Sequence, residues 1–202
     1  MHTEYKYSTT AAYDSDYLIT PVRNIAQSIS IPDSRIFELG CGNGFNANKL
    51  AKSGYQITAI DTSESGIAAA QKTFPDCRFE LGSAYDDLAS KYGSFHCVVS
   101  LEVVEHVFAP RDYANSVYNL LKEGGTAIIS TPYHGYTKNL TLALFNKFDK
   151  HFDPLWDGGH IKFWSKATLT TLLKEVGFKE VEFQLVGRIP VVAKSMIAIA
   201  KK

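Results

Sequence analysis

Cysteine is scarce in this chain: Cys41, Cys77 and Cys97 are widely spaced, odd in number and without a C-x-x-C pair. That argues against a disulfide framework and a structural zinc site, and it predicts a reducing, cytoplasmic setting. An excess of one charge is also lacking. Twenty-one Lys and Arg balance twenty-one Asp and Glu, so the formal net charge is zero. Nucleic-acid binding draws most of its affinity from phosphate neutralisation, so this balance disfavours such a partner. No apolar run approaches the ~18 residues of a membrane span, and residues 1–17 lack the apolar centre of a secretion signal. The 202 residues are 45% hydrophobic, which suits one soluble domain with a real core.

Against that background two kinds of segment alternate. Short runs rich in β-branched and aromatic residues occur at 35–39, 56–60, 77–81, 96–101, 126–130, 180–186 and 192–200. Helical spacing occupies 46–53, 63–73, 111–122 and 165–176. Ser165 with Thr168 marks a helix start, while Gly54 and the Gly124-Gly125 pair read as helix stops. Strand and helix repeated this way predict an α/β fold, a doubly wound and mostly parallel sheet of seven strands. The last two runs are joined by residues 187–190 with no room for a crossover helix, so they should pair antiparallel. Two regions stand outside the alternation. Residues 13–28 read as a helix in an N-terminal cap (1–30), and 132–164 form a long insertion dense in aromatic residues and histidine, a lid on a single domain.

The first strand ends in Glu38-Leu39-Gly40-Cys41-Gly42-Asn43-Gly44-Phe45. Glycines at 40, 42 and 44 permit a tight turn and close backbone approach to a ligand. Phe45 stands where a dinucleotide fingerprint needs its third glycine, so a nucleoside suits the loop better than a pyrophosphate. Asp61 ends the second strand about twenty residues on, where an acid meets ribose hydroxyls in such sites.

These residues resemble the first motif of class I S-adenosylmethionine-dependent methyltransferases, and the resemblance runs from Ile36 to the C-terminus. It implies a Rossmann-like methyltransferase fold with an antiparallel last strand and S-adenosylmethionine as cofactor. It assigns the methionine part to Gly40, Cys41, Gly42, Asn43 and Gly44 with Glu38 beneath, and the ribose to Asp61 and Thr62. The adenine would meet the segment Gly82-Ser83-Ala84-Tyr85, through Ser83 and Ala84, and Leu101. Many members have Asp where this chain has Ser83.

Glu102-Val103-Val104-Glu105-His106 follows the fourth strand. On a helical turn Glu102, Glu105 and His106 share one face. Two carboxylates and an imidazole there can hold a divalent ion, or the turn can simply shape the cofactor pocket. The segment is similar to the E-x-x-E-H of ubiquinone-pathway O-methyltransferases and of small-RNA terminal 2′-O-methyltransferases. That similarity implies a divalent site for magnesium or zinc, completed by a later histidine: His160 first, then His134 or His151. Glu102, Glu105, His106 and His160 are thus the expected catalytic and metal-binding set.

The expected activity is O-methylation of a small hydroxylated metabolite, phenolic or quinone-related. The alternatives are RNA 2′-O-methylation, methylation of another small-molecule nucleophile, and S-adenosylmethionine binding without catalysis; a nicotinamide oxidoreductase is the residual reading. Leu140, Leu142, Leu144, Phe145, Phe148 and Phe152 mixed with Lys138, Lys147 and Lys150 suit a lid over a greasy substrate, peripheral membrane contact, or a helix packed on the domain. Tyr133, Phe145, Trp156 and Phe163 are candidate substrate contacts, and Tyr13 or Tyr17 would close over the cofactor.

Overall fold

The apolar runs become strands because both faces of the sheet are covered, as a parallel sheet requires. A computed structural model describes residues 16–29 and 31–202. Its strands are β1 (Arg35–Leu39), β2 (Gln56–Asp61), β3 (Arg78–Leu81), β4 (Phe95–Leu101), β5 (Leu121–Pro132), β6 (Glu180–Val186) and β7 (Ser195–Lys201). They form one sheet in the order β3-β2-β1-β4-β5-β7-β6. β1 to β5 pair parallel, and β7 runs antiparallel to both β5 and β6. The doubly wound sheet with a reversed last strand is therefore as expected.

Helices α1 (Asp16–Ser28), α2 (Phe45–Ala51) and α3 (Glu64–Thr73) border one side of the sheet; α4 (Leu88–Tyr92), α5 (Pro110–Leu120) and α8 (Lys166–Glu175) border the other. Strand β1 shows the division: Phe37 and Leu39 join a cluster with Tyr113, Val117 and Leu173, while Ile36 joins Ile19, Val22, Leu50 and Ile67. Full burial of each such side chain contributes roughly 1.5–3 kcal/mol. The chain winds in opposite directions from β1 and β4, and the crevice between their carboxyl ends is where such sheets bind ligands.

Several boundaries differ from the sequence reading. β5 starts at Leu121 rather than 126, with Gly124 inside it and a register shift opposite Phe95 and Cys97, so the glycine pair does not stop a helix. β7 starts at Ser195 because Pro190–Val192 form a 3-10 turn. The five-residue α4 was too short to show a period; Asp87 caps it by accepting from Ser90 N. The insertion holds α6 (Tyr136–Leu144) and α7 (Phe148–His151), and α6 has no buried residue. The Ser165–Thr168 start is a full capping box. Tyr13 lies outside the described residues.

Candidate functional site

The glycine loop is built by close approach. Gly40, Gly42 and Gly44 have φ of 81°, 53° and 77°. A Cβ on Gly40 would lie 2.4 Å from Val103 Cγ2, and one on Gly44 2.6 Å from Phe79 Cζ. Gly40 N and Cys41 N both donate to Ile60 O, which ties the loop to β2. The contact with Val103 sets the loop directly against the Glu102–His106 turn.

Glu38 is fully buried beneath this loop, and neither carboxyl oxygen has a hydrogen-bond partner. Burial, and then the charge of Asp61, push its pKa up to about 8. A buried carboxyl with no donor is suited to a ligand that brings one. Asp61 accepts from Gly42 N at 2.8 Å and Ser63 N at 2.9 Å; burial raises its pKa against those donors. Thr62 is exposed beside it, Cys41 and Leu101 are buried, and Asn43 Oδ1 accepts from Phe45 N. After β3, Ser83 N donates to Asp86, and Ser83 Oγ accepts from Tyr85 N. Tyr85 carries its hydroxyl across to accept from Phe108 N and Ala109 N, joining this segment to the one after β4. Ala84 packs on the core beside it.

The turn after β4 is not the single helical face expected. Glu102 has φ of 55°, in the left-handed region, and the turn proper is closed by His106 N donating to Val103 O. The Glu102 carboxylate goes elsewhere: Ser130 Oγ donates to Oε1 at 2.8 Å and Ser195 Oγ to Oε2 at 3.4 Å. Burial pushes its pKa up to about 7 against these hydroxyls. Tyr17 shares a hydrogen bond with Ser195 Oγ at 3.2 Å, so α1 reaches the edge of this cluster.

The other three expected ligands do meet. One ligand atom each of Glu105, His106 and His160 lie within 4.8 Å of one another. Residues after Gly158 are stitched over the turn: Ile161 N and Lys162 N donate to Glu105 O, and Trp164 Nε1 donates to Val104 O. These bonds carry His160 Nε2 to 3.9 Å from Glu105 Oε1. Both Glu105 oxygens are buried without a hydrogen-bond partner; burial, then the charge of Glu102, hold its pKa well above the usual carboxylate range. The carbonyls of Gly158 and Gly159, 2.8 and 3.2 Å from His106 Nδ1, can only accept. That nitrogen therefore carries a proton, which leaves Nε2 as the ring atom that can face a ligand. Burial, then the neighbouring His106, lower the His160 pKa to about 4, which leaves its nitrogen neutral and able to coordinate. An orphaned carboxyl with the His160 and His106 rings beside it fits a divalent ion.

His134 and His151 form a second histidine pair, with ring centroids 5.7 Å apart, packed with Phe152 and Phe163. Burial lowers the His134 pKa to about 4. Trp156 stands edge-on to His106 and beside the His160 ring. Phe145 is exposed, and Tyr133 is partly buried against the core. Tyr17 packs on the β6–β7 connection, under Lys194 and against Gly187. Sequence reading missed the packing role of Val103, and it missed Ser130 and Ser195; the small hydroxyl residues carry no local signal, because the β5–β7 pairing alone gathers them.

A glycine loop and an acid at the switch point of a doubly wound sheet, with a reversed final strand, define a nucleoside-cofactor enzyme of methyltransferase architecture. A family model described as "Methyltransferase domain" matches residues 12–182. The chain belongs to that family, the class I S-adenosylmethionine-dependent methyltransferases. It is 31% identical over 121 residues to a ubiquinone biosynthesis O-methyltransferase of Xanthomonas campestris pv. campestris, a match covering 57% of this chain and 51% of that protein. A protein of the same name from Aromatoleum aromaticum is 24% identical over 182 residues, covering 87% and 78%. The chain thus spans about half the length of the first of these relatives. Among solved structures, the methyltransferase domain of bacterial CtHen1 has a TM-score of 0.71 at 17% identity, covering 93% of this chain and 97% of that one. A SAM-dependent methyltransferase of Methanosarcina mazei has 0.67 at 21%, covering 89% and 96%. At these identities the two structures attest the fold alone. Among the described residues, no helix is long and apolar enough to cross a membrane.

Proposed function

We propose that this chain methylates a hydroxyl oxygen of a small aromatic acceptor, phenolic or quinone-related, with help from a divalent ion. The observation that carries this reading is the meeting of Glu105, His106 and His160 beside the glycine loop. The O-methyltransferase names of its relatives support it. S-adenosylmethionine supplies an electrophilic methyl group when bound. The chain holds it through Glu38 at the amino acid end and Asp61 at the ribose, with the Gly40–Gly44 backbone between them. A divalent ion held by Glu105, His106 and His160 would lower the pKa of a hydroxyl on it.

The protein's own side chains do the rest. Glu102, with its pKa near 7, can take the hydroxyl proton on Oε2, whose bond to Ser195 is the longer of the two. Trp156 beside His106 and His160, and the Phe152–Phe163 pair, offer aromatic faces against which a ring can stack. Residues 132–164 act as a lid that keeps water from the reacting oxygen; of the expected cap, α1 packs on the sheet and residues 1–15 and 30 lie outside the described residues.

The test is transfer of labelled methyl from S-adenosylmethionine to a catechol set, with chelator and with magnesium or zinc restored. Label should appear on oxygen, vanish with chelator and return with the ion. His160→Ala should lower turnover by at least the roughly 10- to 100-fold that losing a supporting residue costs a metal site. Full turnover in chelator, with His160→Ala unimpaired, would refute the metal; binding of NAD with no binding of S-adenosylmethionine would refute the class.

A further inference from the structure

Among the described residues, Glu38 forms no ion pair, and no cation is turned toward it. Its strand lies between β2 and β4, with Glu38 opposite Ala59 on one side and Val99 on the other. Alternation along the strand puts it on the face of Ile36, where the helices bury Ala47, Leu50, Ile67 and Ala70. The charged side chains of those helices are engaged elsewhere: Lys49 pairs with Asp16, Arg23 Nε donates to Ser53 Oγ, and Lys52, Glu64 and Lys72 are exposed.

The titratable groups around it bring no positive charge either. Burial raises the thiols of Cys41, Cys77 and Cys97, which keeps them protonated and neutral. The Asp61 carboxylate already accepts from Gly42 N and Ser63 N, and its charge opposes a second one on Glu38. An ionised Glu38 would lack water, a donor and a counter-charge, so in the free protein the neutral acid is favoured. An ammonium entering beneath the glycine loop reverses each of these at once, because it supplies donors and a positive charge together.

We propose that Glu38 is a neutral carboxyl in the free protein and gives its proton to solvent when the ammonium of the cofactor's amino acid part arrives, the ammonium keeping its own protons. The site then discriminates by charge: a nucleoside without that cation leaves the acid protonated and binds weakly. This rests on the placement of the amino acid part at Glu38 given above, and it adds a proton to the binding step.

Calorimetric titration of the full chain with S-adenosylhomocysteine, in buffers of different ionisation enthalpy at pH 7, counts the protons released. With the carboxyl titrating at about 8 in the free protein, ~0.9 proton should leave on binding. Affinity should also tighten roughly 20-fold between pH 6 and pH 7.5. 5′-Methylthioadenosine keeps the nucleoside and the sulfur but has no ammonium; it should bind more weakly and release no proton. Glu38→Gln has no proton to lose, so release of protons to S-adenosylhomocysteine should fall to near zero, with thermal melting confirming the fold. Should that variant not fold, the comparison of the two ligands on the unsubstituted protein still decides. No release with S-adenosylhomocysteine, equal release with 5′-methylthioadenosine, or undiminished release from folded Glu38→Gln would each overturn the proposal. Failure of S-adenosylhomocysteine to bind at any pH is a different result and counts against the methyltransferase reading.

Discussion

Replacing Glu38 by Gln removes a carboxyl whose charged form the free protein has no means of solvating. The carboxyl is fully buried, its oxygens have no donor, and its pKa stands at about 8 against 4.5 for a free side chain. In the unfolded chain it ionises above pH 4.5; in the folded protein it keeps its proton until pH 8. The folded state binds the extra proton across that window, so the carboxyl costs stability increasingly as pH rises through it. The slope is at most about 1.4 kcal/mol per pH unit, and Gln has none. Between pH 5.5 and 7.5 the two proteins should therefore diverge by about 2–3 kcal/mol in favour of Glu38→Gln. Urea denaturation of both proteins at both pH values measures this double difference and cancels any pH-independent effect of the amide. If the carboxylate partners the ligand's amino group, as proposed above, the same variant should bind S-adenosylhomocysteine more weakly by about 1.5–3 kcal/mol. A double difference below about 0.5 kcal/mol would mean the carboxyl ionises freely, and the argument from its burial would be wrong.

Two further outcomes follow from packing. Gly40→Ala should destabilise the protein by about 2–5 kcal/mol, combining the left-handed backbone with overpacking against Val103; adding Val103→Ala should recover about 1–2 kcal/mol of this in a denaturation cycle, and no recovery would mean that backbone strain alone is at fault. Deleting residues 137–152 should abolish methyl transfer while leaving S-adenosylhomocysteine affinity within a few-fold, because α6 contributes no buried residue; loss of cofactor binding in that deletion would place the segment in the core.

What could be read from the chain, and what could not, divides along one physical line. The glycine loop was legible because each element of it is local: a strand end, three glycines in left-handed backbone, and a helix start within a few residues. Asp61 was legible because a βαβ unit sets the distance between adjacent parallel strand ends. Glu105 and His106 are neighbours in the chain, so their meeting needed no tertiary knowledge. His160 lies more than fifty residues on, and only its likeness to a known segment drew attention to it; the bonds from Ile161 N and Lys162 N to Glu105 O are what bring it in.

Glu102 is where local reasoning failed, and the failure is informative. Helical spacing put it on a face with Glu105 and His106, yet its φ of 55° turns the chain out of that geometry. Its partners come from strands that a local window cannot pair. Ser130 sits near the end of β5, one strand over, and donates to the carboxylate while Ser130 O receives Glu102 N. Ser195 opens β7 opposite Pro132, in a register set by the full length of the β5–β7 ladder, and Tyr17 reaches it from α1. A non-glycine residue held in left-handed backbone costs about 1–3 kcal/mol, so it persists where surrounding bonds over-determine it. Here the side chain and the backbone N–H of Glu102 are both tied to Ser130. Ser130→Ala would remove two of those bonds at once, which makes the hydroxyl, rather than the glutamate's place in the sequence, the cause of its orientation.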